Sequence, residues 1–184
     1  MSFKLHRVNT LLLTGMPGVG KTTLMRKVVK ALSGWKIQGF LTDEIRVAGC
    51  RQGFRLNTFD GHSAILAHTD IQSKFRVGKY GVDIQSLDRI VDTSLQLKDD
   101  IQLYVIDEIG KMECFSKSFM VAMTRLLDSG LTVVATIHQR AGGFVNQVKQ
   151  REDVELWSVT YQNRDDMVER ILVWITVRQP SESG

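Results

Sequence analysis

Cysteine and proline are both scarce in this sequence, with two residues of each among 184. Cys50 and Cys114 lie far apart and show no CxxC spacing, which argues against a disulfide framework or a zinc site. Reduced cysteines are the rule in the cytosol. We therefore expect a cytoplasmic protein whose core needs neither a cross-link nor a structural metal.

Long apolar runs are also missing. The densest apolar segment, "ILVWITV", is far shorter than the roughly 20 residues that span a membrane. The opening "MSFKLHRVNT" has no apolar stretch of the kind found in signal peptides. We expect no membrane partner, and the composition, 43% hydrophobic and 24% charged, is that of an ordinary globular domain.

A strong charge bias is absent as well. The net charge is +4, and the basic residues are scattered instead of forming a dense block. Nucleic acid is therefore a weak candidate partner, because a site that attracts the phosphates of a nucleotide explains the charge equally well. We expect a monomer.

The chain does contain alternating strand and helix patterns. Short continuous apolar runs such as "VNTLLLT", "IQLYVIDE" and "LTVVATI" are typical of buried parallel strands, whereas "KTTLMRKVVKAL" has helical spacing. "GFRLNTF" and "AILAHT" flank an Asp60-Gly61 turn, which predicts an antiparallel hairpin insertion near residues 51–68. We predict one three-layer α/β domain over residues 1–178, with a mainly parallel central sheet, and a disordered tail over 179–184.

Two helix starts are predicted from capping residues. Ser86 is expected to be the N-cap of the helix in "SLDRIVDTSL", and Asn163 is expected to cap the last helix, "RDDMVERILVWITV".

The segment "GMPGVGKTTL" carries the clearest chemistry. Gly15, Gly20, Lys21 and Thr22 satisfy the pattern GxxxxGK[ST] between a predicted strand and a predicted helix, the context that a phosphate-binding loop requires. The glycines let backbone N–H groups surround a phosphate, and Lys21 can reach the β and γ oxygens. Thr22 can offer its hydroxyl to Mg²⁺. This segment predicts a P-loop domain that holds the phosphates of a nucleoside triphosphate.

A second segment, "LYVIDEIG", places two acids at the end of a predicted buried strand, where ligands bind in such sheets. Asp107 is expected to hold Mg²⁺ through a coordinated water, and Glu108 is expected to polarise the water that attacks the γ-phosphate. An acid directly after the magnesium acid is typical of P-loop ATPases with a strand inserted between the loop strand and the acidic strand. "LTVVATIH" fits that inserted strand, so Thr136 and His138 are expected to face the γ-phosphate.

The charge that develops on the transferred phosphoryl group calls for one more cation. The candidates are Arg46, Arg51, Arg55, Arg76 and Arg140. Its position after a predicted strand end, in "TDEIR", favours Arg46.

The predicted site has three sets of residues. The catalytic set is Lys21, Glu108, Arg46 and Thr136, and the metal set is Thr22 and Asp107. The predicted nucleotide-binding residues are Gly15, Met16, Pro17, Gly18, Val19, Gly20, Lys21, Thr22, Thr23, Tyr104, Val105, Ile106, Asp107, Glu108, Ile109, Gly110 and Lys111.

Taken in order, "GMPGVGKTTL", "GFLTDEIRVAGCRQGFRL", "FRVGKYGVD" and "VIDEIGKME" resemble the thermostable nucleoside-triphosphatase family, called cancer-related NTPases in animals. The likeness covers most of residues 10–165. It implies a RecA-like P-loop NTPase fold and Mg²⁺-dependent hydrolysis of several nucleoside triphosphates, with little base selectivity. Under the resemblance the loop residues are Gly15 to Thr22 and the acidic pair is Asp107 and Glu108.

Three alternatives stay open. "NRDD", residues 163–166, is similar to the NKxD element of guanine-specific GTPases, with Arg164 in the place of lysine. A nucleotide or nucleoside kinase could use the same loop to deliver the γ-phosphate to a hydroxyl. A nucleotide-dependent switch or RNA-binding module would hydrolyse slowly and use "KFRVGKY" as an exposed segment.

Overall fold

A single mixed sheet organises the structure, a computed structural model that describes residues 8–179. The strands are β1 (Thr10–Thr14), β2 (Ile37–Val47), β3 (Cys50–Thr58), β4 (Ser63–His68), β5 (Arg76–Val77), β6 (Tyr80–Val82), β7 (Leu103–Ile109), β8 (Val133–Ile137) and β9 (Val154–Ser158). The helices are α1 (Lys21–Ala31), α2 (Ile84–Ser94), α3 (Lys117–Asp128), α4 (Phe144–Lys149) and α5 (Met167–Thr176). Within the described residues, the strand order is β5-β6-β4-β3-β2-β7-β8-β1-β9.

The strands β2, β7, β8, β1 and β9 form the parallel part of the sheet. β1 is parallel to both β8 and β9, and β7 is parallel to both β2 and β8. β8 therefore lies between the loop strand and the acidic strand, which confirms the predicted inserted strand. Its residues are all buried, as are those of β1, so these strands lack polar alternation because helices cover both faces.

The antiparallel part of the sheet, here called the wing, comprises β3 to β6 (residues 50–82). The hairpin predicted near residues 51–68 is confirmed: β3 pairs with β4 around a turn in which Gly61 has φ +90°. The insertion is larger than predicted, because β2 continues past the parallel sheet and pairs with β3 from Phe40 to Val47. The segment "SKFRVGKYGVD" contributes the short strands β5 and β6, and within the described residues β5 is the outermost strand on this side of the sheet.

Two apolar cores lie on opposite faces of the sheet and confirm the three layers. Leu12, Phe40 and Ile106 pack with residues of α2 and α3 on one face. Leu11 and Val105, their alternating neighbours in β1 and β7, pack with α1 and α5 on the other face. Because every residue of a strand points to the face opposite that of its neighbour, these continuous apolar runs supply both cores.

Both capping predictions were wrong. Asp83 is the N-cap of α2, and its carboxylate accepts a hydrogen bond of 3.0 Å from the backbone N–H of Ser86, which lies inside the first turn. Asp166 is the N-cap position of α5, and Asn163 closes the preceding turn instead. The apolar spacing located each helix, but several polar residues near each start could have served as the cap.

No helix among residues 8–179 is long and apolar enough to cross a membrane. The tail predicted for residues 179–184 lies outside the described residues except for Gln179, whose side-chain amide donates to the carbonyl of Gln102 at 3.1 Å.

Candidate active site

The phosphate loop connects β1 to α1, as the sequence predicts. Gly20 has φ +106°, a left-handed conformation that a side chain would strain, and it directly precedes the first residue of α1. Gly15 needs a different property, since a Cβ added there would meet the carbonyl oxygen of Val159 at 2.5 Å. The glycines thus let the backbone turn at the helix N-terminus, where N–H groups and the helix dipole favour a phosphate.

Lys21 spans the concave side of this loop. Its ammonium donates to the carbonyls of Gly15 at 3.0 Å and Met16 at 3.4 Å. The side chain of Lys21 lines the same cleft as the acidic pair, and its charge opposes the rise in the pKa of Asp107 and of Glu108. The ammonium therefore lies between the loop and the carboxylates, where triphosphate oxygens would bind.

Asp107 is buried at the carboxyl end of β7, with 2% of its surface exposed. Its Oδ1 accepts a hydrogen bond of 2.7 Å from the hydroxyl of Thr136, which is fully buried on β8. Its backbone carbonyl accepts a hydrogen bond from the hydroxyl of Thr42 on β2. The aspartate is therefore held by both neighbouring strands of the sheet.

The second carboxylate oxygen of Asp107 is suited to a cation. Oδ2 is buried and has no hydrogen-bond partner within the described part of the chain. Burial raises the pKa of Asp107, whereas the nearby hydroxyls of Thr136 and Thr22 oppose that rise. A buried carboxylate oxygen without a partner is costly, and a divalent cation beside the Thr22 hydroxyl would offset this cost. These oxygen donors fit Mg²⁺, which prefers hard oxygen ligands and keeps several waters.

Glu113 supplies a further buried carboxyl group close to Glu108. Burial raises the pKa of Glu108, and the charges of Lys21 and Lys149 oppose that rise. Burial, reinforced by the charge of Glu108, raises the pKa of Glu113 to about 8. The Glu113 carboxyl accepts a hydrogen bond of 3.1 Å from the backbone N–H of Gly110. Both carboxyl groups line the cleft.

A cleft of about 930 Å³ joins these groups. Its walls include Gly15, Met16, Pro17, Gly18, Gly20, Lys21, Thr22, Thr23, Asp107, Glu108 and Lys111 from the predicted set. Tyr104, Val105, Ile106 and Ile109 are buried in the sheet and do not line it, so they carry the acidic pair without reaching a ligand. Val19 and Gly110 are also absent from the cleft wall.

Thr136 and His138 lie near the acidic pair but in separate environments. The Thr136 hydroxyl is engaged by Asp107, a contact that does not support the predicted direct contact with a γ-phosphate; Thr136 orients the carboxylate instead. His138 lines the cleft, and burial lowers its pKa, which favours the neutral imidazole. Lys149 donates to the carbonyl of His138 at 2.7 Å and so fixes the loop after β8.

The predicted arginines occupy different positions. Arg46 is held at the end of the β2–β3 hairpin by Glu44 at 2.6 Å and by the carbonyl of Gly49 at 2.7 Å, and it does not line the cleft. Arg51 and Arg140 do line it. Arg51 pairs with Glu44 at 2.7 Å, whereas among residues 8–179 no ion pair engages Arg140.

The sequence did not predict that Glu113 is buried or that Lys149 donates hydrogen bonds to the loop after β8. The sequence signal for Glu113 was its place in "GKMECF", where an acid stands between apolar residues that the fold buries. Lys149 gave no local signal, because it ends α4 and reaches the β8 loop through the tertiary fold.

Comparison with known proteins agrees with this geometry. A family model described as NTPase matches residues 10–172. The chain belongs to this NTPase family. The resemblance to thermostable and cancer-related nucleoside triphosphatases inferred from its motifs is thereby confirmed.

Named relatives of this NTPase occur in bacteria and animals. The nucleoside-triphosphatase THEP1 of a Thermotoga species (strain RQ2) is 42% identical over 166 residues, covering 88% of this chain and 92% of that protein. The cancer-related nucleoside-triphosphatase homolog of Mus musculus is 36% identical over 176 residues, covering 87% and 93%. The matches extend over almost the full length of these relatives.

Solved structures show the same fold. The crystal structure of THEP1 from Aquifex aeolicus matches with a TM-score of 0.82 and 37% identity, covering 90% of this chain and 98% of that one. The solution structure of a human cancer-related nucleoside triphosphatase matches with a TM-score of 0.78 and 33% identity, covering 94% and 100%. The predicted P-loop NTPase fold is therefore confirmed.

Proposed function

We propose that this NTPase hydrolyses nucleoside 5′-triphosphates to the diphosphate and phosphate, in a reaction that depends on Mg²⁺ and selects weakly among bases. The observation that carries the proposal is the buried Asp107, which lines a cleft shared with the phosphate loop and Glu108 and whose Oδ2 has no hydrogen-bond partner among residues 8–179. Membership in the NTPase family and the names of its relatives support the hydrolytic direction.

Each residue then has a role in the reaction. Glu108 accepts a proton from the water whose oxygen attacks the γ-phosphorus, while the bond to the β–γ bridging oxygen breaks and the diphosphate leaves. Lys21 neutralises charge on the β and γ oxygens. Mg²⁺, when bound, supplies positive charge shared by the same oxygens. Thr22 and Asp107 would hold it, and Thr136 keeps the carboxylate of Asp107 in place.

Phosphate release from ATP, GTP, CTP and UTP tests this proposal, with Mg²⁺ and with excess EDTA. We expect all four nucleotides to be cleaved at comparable rates with Mg²⁺, and each to release one phosphate for each diphosphate formed. EDTA should abolish release. Turnover of a single nucleotide would contradict the weak base selectivity, and tight nucleotide binding without any release would contradict hydrolysis itself.

An arginine in the cleft is expected to stabilise the transferred phosphoryl group. Arg140 lines the cleft without an ion pair among residues 8–179, so Arg140→Ala should lower kcat by about tenfold or more with little change in nucleotide affinity. Arg46→Ala is the matched test of the arginine that the sequence favours. A loss of kcat in Arg46→Ala alone would mean that Arg46, at the end of the β2–β3 hairpin, contacts the phosphates. Equal kcat values in the parent, Arg140→Ala and Arg46→Ala would show that neither arginine takes part in the reaction.

Phosphoryl transfer to an organic acceptor is the second candidate function. The cleft continues past the acidic pair to Phe54, Leu66 and Val77 of the wing, so its wall includes apolar groups that hydrolysis does not use. A kinase would form ADP in excess of phosphate when nucleosides or nucleoside monophosphates are added. Equal amounts of ADP and phosphate under all such conditions leave hydrolysis as the activity.

A further inference from the structure

The segment after β9 packs directly on the phosphate loop. The backbone N–H of Val159 donates to the carbonyl of Thr14 at 2.7 Å, and the Val159 carbonyl leaves no room for a side chain at Gly15. The guanidinium of Arg164 donates to the carbonyl of Val19 at 3.3 Å. We call residues 159–166 the β9–α5 turn. The β9–α5 turn therefore lies directly against the phosphate loop.

The sheet order indicates which end of a nucleotide meets this turn. The acidic pair at the end of β7 marks the γ-phosphate side of the loop, since Glu108 activates water there. From β7 the order runs through β8 and β1 to β9. A triphosphate that passes over the loop from the acidic pair therefore has its nucleoside end on the opposite side, towards β9. The β9–α5 turn is the part of the chain that follows β9.

Two planar groups of this turn are available on that side. The ring of Tyr161 is exposed, at 57%, and the guanidinium of Arg164 lies over it at 5.3 Å from the ring centre. Arg164 is also close to Gly20, because a Cβ built there would lie 3.8 Å from its Nη1. A base emerging from the loop would meet an exposed aromatic ring with a guanidinium close to it, and both groups suit π-stacking and cation–π contact.

We propose that Tyr161 and Arg164 form the nucleobase subsite, a stacking platform that accepts purines and pyrimidines alike. The inference rests on the proposed function, since it assigns the base side of the same nucleotide. Stacking depends on a flat face that every base has, so it explains weak base selectivity in a site that still gains affinity from the base.

The side chain of Asn163, the first residue of the NKxD-like segment, is engaged within the same turn and is not free to contact a base edge. Both polar atoms of the Asn163 side chain are engaged: Oδ1 accepts from the N–H of Thr160 at 2.8 Å, and Nδ2 donates to the carbonyl of Ser158 at 2.9 Å. Arg164 is engaged with Val19. Asn163 therefore shapes the turn that presents the platform.

Calorimetric binding of Mg²⁺ complexes by the full chain tests the subsite without any turnover. The probes are ADP, GDP, CDP and UDP, with inorganic tripolyphosphate as a ligand that has phosphates and no base. Tyr161→Ala should weaken binding of all four nucleotides by about three- to tenfold, because the base loses its stacking partner. Tripolyphosphate affinity should stay the same, and Tyr161→Phe should bind nucleotides as the parent does.

Arg164→Ala should weaken nucleotide binding more than tripolyphosphate binding, because Arg164 also contacts the loop carbonyl of Val19, and Arg170→Ala is its matched control. Arg170 makes an arginine–aromatic contact of the same kind, over Trp157 at 4.9 Å, outside the turn. Unchanged nucleotide binding in Tyr161→Ala would overturn the proposal. Equal losses for nucleotides and tripolyphosphate would also overturn it, since the residue would then support the loop, and a loss confined to GDP would make it an edge reader. If the parent binds but never hydrolyses, the proposed function fails while this test still stands.

Discussion

Glu108→Gln is expected to lower the kcat of phosphate release by about 10²- to 10⁴-fold, the range that general-base catalysis contributes. Glutamine keeps the size of the side chain but cannot accept a proton from the attacking water. Glu108 lies in the cleft beside Lys21 and Asp107, and burial raises its pKa, which makes its carboxylate a stronger base. The measurement is single-turnover phosphate release from Mg²⁺-ATP, together with the affinity for Mg²⁺-ADP.

Nucleotide affinity separates loss of the base from loss of the site. Lys21, Thr22 and Asp107 are unchanged in Glu108→Gln, so the affinity should stay close to that of the parent. Glu152→Gln is the control, because Glu152 is exposed and lies outside the cleft wall. Turnover reduced by less than about threefold would contradict the role of Glu108 as the base, since the effect would fall well below the range for such catalysis.

The parts of this site that the sequence predicts and the structure brings together in one cleft depend on neighbours in the chain. The spacing of Gly15, Gly20, Lys21 and Thr22 is fixed by the geometry of a loop that enters a helix, so the residue types alone report it. Asp107 and Glu108 follow a short apolar run, and in a chain that also contains a phosphate loop such a run indicates a buried strand of the same sheet. The inserted strand β8 followed from that pair.

The parts that sequence could not supply depend on contacts between distant segments. Thr136 contacts Asp107 from the adjacent strand β8, and the tertiary fold buries Asp107 Oδ2 without a hydrogen-bond partner among residues 8–179. The sequence did not predict the full length of the insertion. The residue pattern of β2 is the same whether the strand ends within the parallel part of the sheet or continues to Val47. The sequence favoured Arg46 because of its position after a predicted strand end. In the structure β2 continues through Arg46, and the guanidinium donates to Glu44.

Glu113 gives the second large expected effect, a pH-dependent difference in stability. Its carboxyl is buried, and burial raises its pKa from 4.5 in the unfolded chain to about 8 in the fold. Below pH 4.5 the carboxyl is protonated in both states and has no effect on the free energy of unfolding. Between pH 4.5 and about 8 the unfolded chain releases the proton while the folded chain keeps it, so stability falls as pH rises.

Glu113→Gln should remove this loss. Glutamine retains an oxygen that can accept the Gly110 N–H and carries no ionisable proton, so the variant should gain on the parent from pH 5 to pH 9, by on the order of 4 kcal/mol at most. That is a large fraction of the roughly 5–15 kcal/mol that stabilises most domains.

Urea unfolding at several pH values in EDTA measures the difference, with the exposed Glu169→Gln as control. Asp107 and Glu108 also have raised pKa values, but they are present in both proteins and largely cancel. Parallel stability curves for parent and Glu113→Gln would show that Glu113 ionises normally in the fold. A gap that widens up to pH 8 and then stays constant would identify Glu113 as a carboxyl that the folded NTPase keeps protonated beside Glu108.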